Sequence, residues 1–160
     1  MIKVVEGNLL ESDVDIIVHQ VNCHGVMGAG IAKQIREKFP NTYLCYHHLC
    51  QNSDPMKLIG HNLYTSETIN GKRIIVANIF GQNGFGANRQ HTDYEALDSC
   101  FAKLAKAAND LKSRGLPNKI GIPYNIGCGL GGGDWKIVSN IIRKHLSNLD
   151  VEIYKFKRST

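Results

Sequence analysis

The stretch VDIIVHQVNCHGVMGAGIAKQIREKF, residues 14–39, decides the fold because its character changes halfway along. Residues 14–21 are apolar and rich in β-branched side chains, which is typical of a buried strand. Residues 30–39 repeat apolar side chains at helical spacing, and Pro40 ends that pattern. The joint between the two carries three glycines: Gly25, Gly28 and Gly30. The stretch therefore predicts a strand, a glycine loop and a helix in direct succession.

The stretch NIGCGLGGGDWKIV, residues 125–138, repeats this arrangement near the other end of the chain. Glycine allows positive φ angles and lets a ligand approach the backbone, and a helix start offers unpaired N–H groups with a partial positive charge. Glycines also serve tight turns that hold no ligand. Two such loops at the carboxyl ends of neighbouring strands would nevertheless form two walls of one crevice. The pair predicts a crevice that holds a diphosphate.

Neither loop fits the two common nucleotide-binding motifs. Gly127, Gly129 and Gly132 match the spacing GxGxxG, but only 28 residues follow Gly132, too few for the rest of a dinucleotide-binding sheet. A P-loop requires the sequence GK[ST], which neither loop contains. The predicted diphosphate site therefore belongs to another class.

The rest of the chain alternates strands with helices. The other predicted strands are residues 2–6, 118–126 and 151–156, the other predicted helices are residues 41–51, 91–115 and 134–146, and a predicted hairpin covers residues 62–80. The hairpin turns at Asn70-Gly71, and Thr92 with Glu95 forms a predicted capping box for the long helix. This alternation predicts one domain over residues 1–160, an α/β sandwich around a mixed, mostly parallel sheet.

The composition, with 42% hydrophobic and 21% charged residues, is that of an ordinary soluble globular protein. No apolar run approaches the roughly 20 residues of a membrane span, and the first residues show no signal-peptide pattern. We therefore expect a cytoplasmic location. The net charge of +5 suits an anionic ligand, either a small molecule or a nucleic acid.

The five cysteines are odd in number and scattered, so they predict no disulfide framework. Cys45, His47, His48 and Cys50 lie close together in sequence, but they lack a CxxC pair and a second ligand cluster. We therefore expect neither a metal site nor a cofactor.

The segments EGNLLESDVDIIVHQVNCHGVMGAGIA, residues 6–32, and IPYNIGCGLGGGDW, residues 122–135, resemble a macro domain, an ADP-ribose-binding module. The likeness runs in order over nearly the whole chain, from Glu6 to Phe156. The motifs GxMGxGIA and IGCGL resemble most the branch that contains ADP-ribose 1''-phosphate phosphatases and terminal ADP-ribose glycohydrolases. The resemblance implies a three-layer α/β/α sandwich with a mixed, mostly parallel central sheet.

The resemblance also implies a binding site for each part of ADP-ribose. Asn8 stands where the family has an acid that accepts a hydrogen bond from the adenine amino group, a departure that predicts looser selectivity for adenine. Phe156 stands where the family often offers an aromatic ring to adenine. Core packing is the alternative for Phe156, and Tyr154 competes for the role. The implied ligand-binding residues are Asn8, Leu9, Asn22, Gly28, Ala29, Gly30, Ile31, Ile126, Gly127, Cys128, Gly129, Leu130, Gly131 and Phe156.

The glycohydrolase members of the family are expected to use a lysine nucleophile and an aspartate. The corresponding first region reads FGQNGFGANRQ, residues 80–90, and contains no lysine. The aspartate position aligns with Gly131, and Asp134 is predicted to cap the helix that begins at Trp135. The sequence therefore gives poor support to a covalent glycohydrolase mechanism.

Three residues are candidates for catalysis: His19, Asn22 and His24. The phosphatase-like relatives also carry a histidine on the strand of His19, and histidine can act as a general acid or base near neutral pH. A satisfied core histidine is the alternative for His19. His24 lies within the glycine loop and is expected to be exposed. Cys128 sits at a predicted helix start, where a thiol pKa can fall, but packing explains a small residue there more simply.

The sequence thus predicts a protein that binds ADP-ribose and hydrolyses a 1''-substituted derivative, with ADP-ribose 1''-phosphate as the first choice. One alternative is an ADP-ribosyl or O-acetyl-ADP-ribose hydrolase. The other is a non-catalytic reader of ADP-ribosylated protein or nucleic acid. A pocket with no titratable group in reach of the distal ribose would favour the reader. The expected partners are ADP-ribose or its derivatives, with no membrane.

Overall fold

A computed structural model describes residues 1–86 and 90–157. Its strands are β1 (Ile2–Glu6), β2 (Ile16–Gln20), β3 (Asn62–Ile69), β4 (Lys72–Ile79), β5 (Ile120–Pro123) and β6 (Val151–Lys155). Its helices are α1 (Gly30–Lys38), α2 (Pro40–Gln51), α3 (Pro55–Leu58), α4 (Tyr94–Ser113) and α5 (Trp135–Leu146), together with a short 3-10 helix, Leu9–Glu11.

The strands form one six-stranded sheet in the order β1-β6-β5-β2-β4-β3. All neighbouring pairs are parallel except β3 with β4, which is the predicted hairpin. Asn70 and Gly71 turn this hairpin with φ angles of 51° and 80°, as an Asn-Gly turn requires. The mixed, mostly parallel sheet is therefore confirmed.

Helices cover both faces of the sheet. Alternate residues of each central strand point to opposite faces, so apolar side chains of one strand contribute to two cores. Ile16 and Val18 of β2 pack in one core with helices α4 and α5. Ile17 packs on the other face with Ile35 of α1. This arrangement confirms the three-layer α/β/α sandwich. Within the part of the chain described here, no helix has the length and apolarity that crossing a membrane would require.

Three local predictions are corrected by the structure. The capping box of α4 is wrong: Asp93 caps the helix by accepting from the Ala96 N–H, and Thr92 bonds elsewhere. The strand predicted over residues 118–126 ends at Pro123, because the chain then turns at Asn125, whose φ is 66°. Helix α3 was not predicted, since its single turn is too short to show a helical period.

Candidate functional site

A crevice opens at the carboxyl edge of the sheet, where β2 and β5 end. These strands are parallel neighbours, so the glycine loops that follow them face each other. The crevice comprises a larger cavity of about 510 Å³ and a smaller one of about 220 Å³. The two cavities share four lining residues: Gly30, Ile31, Pro123 and Tyr124. A crevice of this size accommodates an extended, nucleotide-sized ligand.

Asn22 shapes the first glycine loop with its side chain. Its Nδ2 donates to the Val26 carbonyl oxygen at 2.7 Å, and its Oδ1 accepts from the His24 backbone N–H at 2.9 Å. The residue lines the larger cavity although only 7% of it is exposed. Because a carboxamide carries two N–H groups and Val26 uses one, the second remains for a ligand.

Tyr46 of α2 holds Asn22 in place from the core. Its hydroxyl lies 2.7 Å from the backbone oxygen of Asn22 and 2.9 Å from its Oδ1. Burial raises the pKa of the Tyr46 hydroxyl, which therefore stays protonated and donates. The next residue, His47, places its Nδ1 at 3.0 Å from the Gly25 carbonyl oxygen. Helix α2 thus fixes the first loop at two points.

The start of α1 supplies hydrogen-bond donors to one wall of the crevice. Gly30 begins the helix at φ +59°, and Ala29 before it provides no side-chain cap. Among the described residues, the backbone N–H groups of Gly28, Ala29, Gly30 and Ile31 find no acceptor. Such N–H groups at a helix start carry partial positive charge and suit a phosphate group.

The second loop supplies donors to the opposite wall. Its backbone passes through positive φ angles at three residues: Asn125, Gly127 and Gly132. The backbone N–H groups of residues 129–131 donate to no other group in the described part of the chain. Successive unpaired N–H groups in a turn form a concave anion-binding nest. The crevice therefore lies between two sets of backbone donors.

A polar network beneath the second loop was missed by sequence reasoning. Nε2 of Gln20, the last residue of β2, donates to Gln82 Oε1 at 2.6 Å and to Thr92 Oγ1 at 2.9 Å. Thr92 Oγ1 in turn donates to the Gly127 carbonyl oxygen at 2.6 Å, and its N–H donates to the Gly131 carbonyl oxygen at 2.9 Å. The network ties the loop to the sheet. No motif marks it, because its members meet only in three dimensions.

The smaller cavity gathers the predicted residues Asn8, Leu9 and Phe156, with Tyr154 beside them. Phe156 is 65% exposed, so its ring is available to a ligand and the core-packing alternative is wrong. Tyr154 is partly buried, and its hydroxyl donates to Glu152 Oε1 at 2.8 Å. Both rings can therefore contact a planar group in this cavity.

The larger cavity gathers most of the other predicted residues. They are Asn22, Gly28, Ala29, Gly30, Ile31, Ile126, Gly127, Gly129, Leu130 and Gly131. Cys128 does not line it. Its side chain packs against the core that contains α4 and α5, and burial raises the pKa of its thiol to about 11. The packing interpretation of Cys128 is confirmed.

His19 lies in the core and not at the crevice. Its Nε2 is 2.5 Å from Asn78 Oδ1, and no part of the residue is exposed. Asn78 Nδ2 donates to the Leu63 carbonyl oxygen, so Asn78 Oδ1 accepts and the proton of the imidazole sits on Nε2. Burial lowers the pKa of His19 to about 4. The structure thus contradicts the catalytic role predicted for His19 and gives it a core position, although within the described residues its Nδ1 is buried without a hydrogen-bond partner, so the histidine is not fully satisfied.

His24 is exposed at the rim of the larger cavity. Its Nε2 lies 2.7 Å from Asn83 Oδ1, and its ring packs edge-on at 6.2 Å from the ring of Phe85, which lines the cavity. Of the two predicted histidines, His24 is therefore the one near the crevice.

The described lining of the larger cavity contains no carboxylate, lysine or histidine side chain. The sequence resemblance implies that a catalytic lysine, where present, would lie in the region of residues 80–90. The structure describes this region except for residues 87–89. Asp134 caps α5 by accepting from the Lys136 N–H at 2.9 Å, as predicted. Among residues 1–86 and 90–157, no three histidine, cysteine or acidic side chains are grouped so as to hold a metal ion.

This chain is similar in sequence to proteins with two kinds of name. The ADP-ribose 1''-phosphate phosphatase of Meyerozyma guilliermondii is 29% identical over 170 residues, covering 93% of this chain and 96% of that protein. A DNA ADP-ribosyl transferase–DNA ADP-ribosyl glycohydrolase fusion protein of Thermosipho africanus is 24% identical over 162 residues. That match covers 95% of this chain, but the chain spans only about two fifths of the fusion protein, 40% of its length.

A solved structure is similar to this chain in fold. The macrodomain of Thermus aquaticus DarG superimposes with a TM-score of 0.76 at 25% identity, covering 97% of this chain and 98% of that one. The sequence profile of the Macro domain family matches residues 18–142, which include both glycine loops. The chain belongs to the macro domain family.

Proposed function

We propose that the protein binds ADP-ribose along the crevice and hydrolyses a derivative substituted at the 1'' position, with ADP-ribose 1''-phosphate as the first choice. The observation that carries the proposal is the pair of opposed, unpaired backbone N–H sets at Gly28–Ile31 and residues 129–131. A diphosphate placed between them leaves the base for the smaller cavity and the distal ribose for the larger one. Two relatives with hydrolase names, a phosphatase and a glycohydrolase, support the enzymatic part.

In the proposed reaction, water attacks the phosphorus of the 1''-phosphate and the bond from phosphorus to O1'' breaks. The backbone donors hold the diphosphate and stabilise the charge that develops beside it. The free N–H of Asn22 positions the 1'' end. In this proposal His24, which is not in the described lining of the cavity but contacts the lining residue Phe85, takes the proton of the attacking water and returns one to O1'', which leaves as the anomeric hydroxyl of ADP-ribose.

A non-catalytic reader of ADP-ribosylated protein or nucleic acid is the second candidate. The observation that favours it is the described lining of the larger cavity, which lacks carboxylate, lysine and histidine side chains. An ADP-ribosyl or O-acetyl-ADP-ribose hydrolase that uses bound water, without a covalent intermediate, needs the same pocket as the phosphatase.

One experiment separates these functions. The protein is incubated in ¹⁸O-labelled water with ADP-ribose 1''-phosphate, O-acetyl-ADP-ribose, ADP-ribosylated protein and ADP-ribosylated DNA, and products are followed by mass. Labelled phosphate from the first substrate is the expected result. Released phosphate without label would instead show attack at C1''. Binding of ADP-ribose in calorimetry without any product would establish the reader.

Tyr46→Phe should weaken ADP-ribose binding by about tenfold, because Asn22 loses a buried hydrogen bond worth about 1–1.5 kcal/mol and the first loop loses its fixed shape. The ring is retained, so its packing against Phe80 at 6.0 Å is preserved. Calorimetry gives the affinity, and thermal melting gives the stability. The matched control is Tyr64→Phe, which removes a hydroxyl 3.0 Å from Asn62 Nδ2 on strand β3, away from Asn22 and the first loop. Equal affinity in both variants would contradict the role of Tyr46.

A further inference from the structure

Lys155, the last residue of β6, brings a positive charge to the side of the crevice. Its Nζ lies 4.6 Å from the centre of the Tyr124 ring, which is a cation–π contact. Trp135, the first residue of α5, packs against the same ring with a centroid distance of 4.7 Å and thereby fixes it. Among the described residues, Lys155 forms no ion pair with a carboxylate. The N–H donors of its ammonium group therefore remain for a ligand.

Tyr124 marks the junction of the two cavities, because it is one of the four residues that line both. In the proposed binding mode, the base occupies the smaller cavity and the diphosphate lies between the two glycine loops in the larger one. The ribose that connects base and diphosphate, the proximal ribose, then lies at the junction. A group attached to this ribose is therefore close to Tyr124 and within reach of the flexible four-carbon stem of Lys155.

The charge of Lys155 is not used by the diphosphate in this binding mode. Backbone N–H groups of the two loops hold the diphosphate, and the described lining of each cavity contains no charged side chain. Glu6 stands opposite Lys155 in the pair of β1 with β6, but its Oε2 lies 3.5 Å from Lys157 Nζ. These three side chains together carry a net charge of about +1 beside an uncharged lining. Dinucleotide-binding folds place a basic side chain beside a ribose in the same way to accept a 2'-phosphate.

We infer that Lys155 makes the junction a subsite for a phosphate ester on the proximal ribose. The crevice then binds ADP-ribose that is phosphorylated at the 2' or the 3' hydroxyl more tightly than ADP-ribose itself, because the ammonium group donates charge-assisted hydrogen bonds to the added phosphate. The ADP-ribose part of NADP carries such a group. This inference rests on the proposed function, because it assumes that the base and the diphosphate lie as proposed, but it does not depend on hydrolysis at the 1'' end.

Calorimetry at low salt with ADP-ribose, 2'-phospho-ADP-ribose and 3'-phospho-ADP-ribose tests the inference. The wild type should bind one of the two phosphorylated ligands about fivefold more tightly than ADP-ribose, and added salt should reduce this gain. Lys155→Met retains the apolar stem and should remove the gain, with little change in the affinity for ADP-ribose. Lys155→Arg should retain the gain, because the charge is kept. The matched control is Lys157→Met, which changes the net charge equally and should also retain the gain.

Three outcomes would overturn the inference alone. The first is a wild type that binds ADP-ribose and gains no affinity from either phosphate. The second is a gain that Lys155→Met leaves intact. The third is an equal loss of the gain in Lys155→Met and Lys157→Met, which would show a general effect of net charge. Absence of binding for all three ligands would overturn the proposed function and the inference with it. Thermal melting of each variant confirms that the comparison is made between folded proteins.

Discussion

Gly129→Glu should abolish ADP-ribose binding, lowering the affinity at least about a hundredfold, while the protein remains folded. A Cβ at Gly129 would meet no atom within 4 Å, and its φ lies outside the left-handed region, so the fold tolerates a side chain there. The new carboxylate would lie beside the N–H groups of residues 129–131 and would repel a diphosphate in a site of low dielectric. Calorimetry measures the loss, and circular dichroism confirms the fold.

The structure makes Gly129 a cleaner position for this test than its neighbours. Gly30 has a φ of +59°, so any side chain there adds backbone strain. A Cβ at Gly131 would lie 2.6 Å from Thr92 Oγ1 and would disturb the network under the loop. Gly129→Gln is the matched control, because it adds the same bulk without the charge and should lose less affinity. A folded Gly129→Glu that retains its affinity would mean that the loops are structural only.

His19 should reduce the stability of the protein in acid. Burial lowers the pKa of His19 from 6.5 to about 4. As the pH falls from about 6.5 to about 4, the unfolded chain binds a proton at this position and the folded chain does not. The free energy of unfolding should therefore fall by about 3 kcal/mol across this range, with no contribution at neutral pH and above.

His19→Gln isolates this effect because glutamine keeps a donor for Asn78 and cannot titrate. Urea denaturation gives the unfolding free energy of the wild type and of His19→Gln at each pH. The difference between these two free energies should change by about 3 kcal/mol between about pH 7 and about pH 4. Turnover per folded molecule at neutral pH should be nearly the same in both. A difference that stays constant with pH would show that His19 titrates with the same pKa in the folded and unfolded states, and a large loss of turnover would restore its catalytic role.

The two glycine loops could be predicted from the sequence because every signal for them is local. In residues 14–39, a β-branched run, glycines and a helical period follow one another within a single stretch. The strands before both loops are central in a parallel sheet, so each reads as a short apolar run. The same locality revealed the Asn70-Gly71 turn, whose two residues alone determine its backbone.

The position of His19 could not be predicted, because β2 is buried on both faces. In a strand covered by helices on both sides, alternation does not separate a core residue from one at the crevice. The single step from His19 to Gln20 changes the face, and only Gln20 lines the cavity. The pairing of His19 with Asn78 on β4, 59 residues later, has no sequence signal.

Tyr46 and Thr92, the residues that hold the two loops in place, could not be predicted for a similar reason. Tyr46 looks in sequence like any apolar residue of an amphipathic helix, and its hydroxyl gains a role only when α2 packs against the first loop. Thr92 was assigned to a capping box because its spacing to Glu95 fits one. The competing partner, the Gly127 carbonyl oxygen, is brought to Thr92 by the tertiary fold. Local rules fail where a longer-range bond is available.

The order of the strands also determines when the crevice can form during folding. Within the described residues, β1 lies at the edge of the sheet and pairs only with β6, Ile2 opposite Val151, so β1 cannot pair until the distant β6 is available. Such distant pairing raises contact order and slows folding. During synthesis, β2, β4 and β3 can assemble early, whereas the wall of the smaller cavity, with Asn8 and Phe156, closes only after β6 has emerged. The smaller cavity is thus completed late, and ligand binding there requires that β1 and β6 have paired.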